Sequence, residues 1–91
     1  MTASAAAIPA PGTVTMYSTT WCGYCKNLKR QLDALQIPIN VIDIEQDESA
    51  AQYVEEVNGG NRTVPTVVFP DGGAITNPSA AVVQARLAGN S

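Results

Sequence analysis

A chain of 91 residues, 45% of them apolar, is sized for one domain with a packed core of its own. Its 8 Asp and Glu against 5 Lys and Arg leave a net charge of −3, with no basic stripe, which argues against nucleic acid as a partner. No apolar run approaches the roughly 18 residues that a membrane-spanning helix requires.

The opening MTASAAAIPAPG has the small residues of a secretory cleavage box. It lacks a basic start, and Pro9 interrupts its apolar run, so it fails as a signal peptide. The expectation is a cytoplasmic, monomeric protein with a flexible tail over residues 1–12 and a single domain over 13–91.

Alternation of β-branched and apolar residues in TVTMYS predicts a first strand over residues 13–18. The only cysteines, Cys22 and Cys25, follow at once. Leu28, Leu32 and Leu35 then recur at steps of four and three, one face of an amphipathic helix, with Lys26, Lys29 and Arg30 on its other sides. A second strand is expected in IPINVIDI, after which Asp47 can cap a helix carrying Tyr53, Val54 and Val57 that stops at the NGG of residues 58–60. TVVF and AITN flank the turn sequence PDGG and predict an antiparallel hairpin. Asn77-Pro78-Ser79 opens a last helix, with Val82, Val83 and Leu87 as its buried face. The order is βαβαββα.

Two thiols in Cys-x-x-Cys spacing can bind a metal, pack in a core, or exchange a disulfide. A structural zinc site uses four Cys and His ligands, and this chain has 2 Cys and no His, so no metal is assigned. Inert packing is common for Cys but does not explain a position between a strand and a helix. At a helix start, unpaired N–H groups and the helix dipole favour thiolate over thiol at Cys22. Cys25 falls inside the helix, more shielded and within reach of a disulfide formed on Cys22. Dithiol redox chemistry is the reading that uses both positions, and in a reducing cytosol such a pair is catalytic or metal-binding more often than a structural bridge.

With WCGYC followed downstream by TVPT, the stretch from Val14 to Leu87 resembles the glutaredoxin-type members of the thioredoxin superfamily, and within them the mycoredoxins, the actinobacterial version that serves mycothiol. The resemblance implies an α/β thioredoxin fold with a four-stranded mixed sheet flanked by helices. It also implies a thiol–disulfide oxidoreductase with Cys22 as nucleophile and no bound cofactor. Pro65 would be a cis-proline facing the redox pair, with the Val64 backbone free to receive substrate as an added strand. Trp21 and Tyr24 would rim the groove.

Departures from the glutaredoxin pattern bear on the substrate. Thr19 stands where a Lys or Arg usually meets a glutathione carboxylate, and ITNPSA keeps Ser79 but places Thr76, Asn77 and Ala80 where a Gly pair and an Asp are usual. Neutral Thr76, Asn77 and Ser79 suit the hydroxyls of a sugar-based thiol, and Arg62 is the remaining positive group near the groove. The expected partners are mycothiolated proteins, with mycothiol as reducing co-substrate. Two alternatives remain: an electron donor for enzymes such as ribonucleotide reductase, whose usual Trp-containing end is missing after Pro78, and an iron–sulfur carrier, whose usual Gly-Phe-Ser motif is replaced by Gly23-Tyr24-Cys25.

Overall fold

The computed structural model describes residues 8–89. Residues 1–7 of the expected tail lie outside that range; within its remainder Pro9 is buried, and Thr13 N–H donates to Ala10 O at 3.1 Å. The elements run β1 (Val14–Ser18), α1 (Gly23–Ala34), β2 (Ile39–Asp43), α2 (Glu48–Val57), β3 (Thr66–Val68), β4 (Ala74–Thr76) and α3 (Ala80–Gly89), the order expected from the sequence. No helix among the described residues is long and apolar enough to cross a membrane.

The four strands form one mixed sheet in the order β2-β1-β3-β4. β1 pairs with β2 in parallel, Met16 opposite Val41, and with β3 antiparallel, Met16 opposite Val67. β3 and β4 are the two arms of the hairpin. Its turn closes through Gly72 N–H to Phe69 O at 2.9 Å, with Gly72 at φ 87°, a conformation that costs glycine little.

Because successive strand residues point to opposite faces, the central strands divide the core in two. Val14, Met16, Val67 and Phe69 join Leu28 and Leu32 of α1 and Val83 of α3 on one side. Tyr17 and Val68 join Ala50, Ala51, Tyr53 and Val54 of α2 on the other, where the rings of Tyr17 and Tyr53 lie 5.3 Å apart. Burial there pushes the Tyr53 hydroxyl above its ordinary pKa, helped by the neighbouring Tyr17 and Glu56. Arg86 fastens α3 to the hairpin turn, pairing with Asp71 at 3.2 Å and stacking 4.8 Å from the Phe69 ring centre.

Leu35 and Val82, expected on apolar helix faces, are exposed, and so is Val57. Leu35, 40% exposed, is the C-cap of α1, and the chain then turns at Gln36, φ 60°, so that Ile37 packs on the core instead. Val57 and Val82 are 42% and 45% exposed, because α2 buries its first turns through Ala50 and Ala51, and α3 meets the sheet along the line of Val83 and Leu87.

Candidate active site

The site grows out of the end of β1. Cys22 closes a turn, its N–H donating to Thr19 O at 3.3 Å, and its extended backbone (φ −81°, ψ 105°) makes it the N-cap of α1. The Cys22 Sγ accepts from Cys25 N–H at 3.0 Å, so a sulfur stands where Ser, Thr or Asp usually caps a helix. A donor already aimed at that sulfur stabilises negative charge on it once the thiol is free. Cys22 is 7% and Cys25 1% exposed, and the two are joined as a disulfide with their Cα atoms 5.3 Å apart.

The Val64–Pro65 peptide is cis. Pro65 O accepts from Asn77 N–H at 2.7 Å, with Asn77 at φ 54°, which ties the loop before β3 to the loop after β4. Val64 packs against both halves of the core, and its N–H and C=O find no partner among the described residues. Ser79 caps α3, its Oγ accepting from Val82 N–H at 3.2 Å.

Tyr24, Pro65, Asn77 and Ser79 meet at a groove of about 230 Å³, whose other walls are Asn27, Leu28, Gln31 and Pro78. Trp21 and Tyr24 are the most exposed large side chains at the site, 69% and 66%. Trp21 is held from an unexpected quarter: its Nε1–H donates to Glu45 Oε2 at 3.0 Å, and Glu45 N–H in turn donates to Asp43 Oδ1 at 2.8 Å.

Two residues expected at the groove are engaged elsewhere. The Thr76 hydroxyl donates to Asn58 Oδ1, and Asn58 Nδ2 donates to Val54 O at 2.9 Å and Thr66 Oγ1 at 3.2 Å, so Thr76 belongs to a polar tie between the end of α2 and the hairpin. Arg62 pairs with Glu55 and, at 3.0 Å, with Glu48, both on α2; the Glu55 contact foremost holds its guanidinium further above its ordinary pKa. Sequence reasoning also missed Asn27, Gln31 and Glu45. The first two were legible as positions three and seven beyond Tyr24, which share its side of the helix, whereas Glu45 gave no local signal.

Comparison with known proteins agrees with this geometry. The glutaredoxin family profile matches residues 14–74. A Mycobacterium tuberculosis protein named as a glutaredoxin is 55% identical over 74 residues, spanning 81% of this chain and 88% of its own length. Mycoredoxin 1 of Corynebacterium glutamicum is 49% identical over 74 residues, 81% of this chain and 91% of its own. The crystal structure of a glutaredoxin from Methanosarcina mazei superposes with a TM-score of 0.71 at 24% identity, covering 85% of this chain and 79% of that one, and shares the fold. With a profile match across both core faces and relatives at this identity, the chain belongs to the glutaredoxin family of thiol–disulfide oxidoreductases.

Proposed function

We propose that the protein reduces mixed disulfides between proteins and a low-molecular-weight thiol, and that this thiol is mycothiol. The observation that carries the chemistry is the Cys25 N–H held 3.0 Å from Cys22 Sγ at the start of α1. The choice of thiol is supported by a groove with no charged side chain in its walls and by 49% identity to a protein named mycoredoxin 1.

In the cycle, the Cys22 thiolate attacks the mycothiol sulfur of the mixed disulfide. The new Cys22–mycothiol disulfide forms as the protein sulfur leaves as thiolate and takes a proton from solvent. A second mycothiol thiolate then attacks the bound mycothiol sulfur, releasing mycothiol disulfide and restoring the Cys22 thiolate. Cys25 offers a branch: its thiolate attacks Cys22 Sγ, expels mycothiol and closes the Cys22–Cys25 disulfide. The Val64 backbone receives the substrate as an extended strand, with Trp21 and Tyr24 at the rim. No bound cofactor enters either route. The protein works as a cytoplasmic monomer, in keeping with the reducing compartment that such thiols inhabit.

The test is turnover of one peptide carried as its mycothiol and as its glutathione mixed disulfide, with the wild type and with Cys22→Ser and Cys25→Ser. The expected result is preference for the mycothiol adduct, loss of turnover in Cys22→Ser and continued turnover in Cys25→Ser. Preference for the glutathione adduct defeats the choice of thiol, and an active Cys22→Ser variant defeats the mechanism.

A further inference from the structure

The wall that α1 contributes to the groove carries two side-chain amides. Asn27 and Gln31 stand there one helical turn apart, facing the cavity shared with Asn77 and Ser79. Arg30 Nη1 donates to Asn27 Oδ1 at 3.0 Å, which occupies the Asn27 carbonyl and leaves its Nδ2 hydrogens unpartnered among the described residues. The Gln31 side-chain amide likewise has no partner among the described residues. Primary amides present donors and acceptors together, as hydroxyl groups do, so the two match each other without any charge. A carboxylate is held best by Arg, Lys or converging N–H groups, and the walls of the groove contain no Arg or Lys; Arg30 meets it only through its bond to Asn27. Its volume of about 230 Å³ falls short of the roughly 300–1,000 Å³ of sites that enclose a drug-sized ligand. It therefore suits one ring of a larger molecule.

We propose that Asn27 and Gln31 form a subsite for the uncharged, hydroxyl-rich part of the small thiol and set which thiol the enzyme handles. The identity of that ligand rests on the mycothiol reading; the chemistry of the subsite does not. The amides bind sugar hydroxyls while the reacting sulfur lies toward Cys22, so the subsite acts on affinity for the small thiol.

The test uses binding without turnover. The oxidised protein, labelled with ¹⁵N, is titrated with a thiol-free N-acetylglucosaminyl-inositol, and separately with γ-glutamyl-alanyl-glycine, while the side-chain amide resonances of Asn27 and Gln31 are followed. The glycoside is expected to shift both resonances saturably, and the charged tripeptide to leave them in place. Gln31→Ala should weaken glycoside binding about fivefold, the effect of one neutral hydrogen bond. Asn27→Ala should do the same, although it also frees Arg30. Alanine is the best helix former, so α1 persists in both variants, as circular dichroism will check. Absence of a saturable shift at any soluble glycoside concentration, an equal response to the tripeptide, or unchanged affinity in Gln31→Ala overturns the subsite. Because no disulfide is exchanged, a failed mycothiol preference in turnover with this binding intact removes only the functional reading, and the converse result removes only the subsite.

Discussion

The polar tie around Asn58 makes a prediction whose size follows from its bonds. Asn58 Nδ2 serves Val54 O at 2.9 Å and Thr66 Oγ1 at 3.2 Å, and its Oδ1 takes the Thr76 hydroxyl. Truncation by Asn58→Ala removes all of these. Val54 O keeps the backbone N–H of residue 58 at 3.1 Å, and Thr66 Oγ1 keeps Thr63 O at 2.9 Å, so the unrelieved loss falls on Thr76. At about 0.5–1.5 kcal/mol per neutral hydrogen bond, and with water reaching this half-buried side chain, the net cost is about 2 kcal/mol. For a domain of this size that lowers Tm by roughly 10 °C. Thermal unfolding followed by circular dichroism measures it. Thr76→Val, which keeps the shape and deletes the hydroxyl, should cost about 1 kcal/mol. The double variant should cost less than the sum, because both single changes break the same bond. Additive losses, or an Asn58→Ala effect below about 0.5 kcal/mol, would refute the assignment of Thr76 to the fold and return its hydroxyl to the groove.

Other consequences are as specific. Glu45→Ala removes the acceptor of the Trp21 indole, so fluorescence anisotropy of Trp21 should fall, and Glu45→Gln, which retains an acceptor oxygen, should lie between; equal values in all three proteins would mean that the contact does not position the ring. Leu32, on the core face of α1, is 0% exposed, and Leu32→Ala should cost about 2–5 kcal/mol in chemical denaturation, a loss under 1 kcal/mol contradicting the packing described. On the alkaline side, Tyr53 titrates above its ordinary value of 10.0 chiefly because it is buried; its contribution to stability is complete below the unfolded value and is lost as pH rises through the folded one. Tyr53→Phe should flatten that decline, measured as denaturation midpoint against pH. On the acid side, hydrogen bonds from Ser49 and from the Ala50 N–H hold Asp47 below its ordinary 3.8, so its contribution is present above that value and lost as pH falls through the lower folded one. Asp47→Asn should lessen the acid dependence, and an unchanged profile would count against the cap.

What the sequence determined by itself was local. The period-two pattern of TVTMYS, the leucine spacing behind the cysteines and the turn PDGG each act within a few residues, and every one of these elements formed. The placement of a cysteine at a helix start is also a local property, because the same unpaired N–H groups arise wherever a helix begins; hence the position of Cys22 at the head of α1 was legible. Asp47 was likewise readable as a cap because its partner, Ala50 N–H, lies three residues on.

Tertiary structure decided matters that depend on which surfaces meet. Thr76 and Arg62 were polar groups in want of partners, and only the docking of α2 against the hairpin and the loop before β3 brought Asn58, Glu48 and Glu55 to them. Val82 and Val57 belong by composition to buried faces, yet each helix touches the sheet along one line and leaves them outside it. The Trp21–Glu45 contact joins residues 24 apart in the chain. No periodicity reports such a pair: hydrogen bonds act over about 3 Å, and that proximity exists only once the parallel pairing of β1 with β2 sets the two loops side by side.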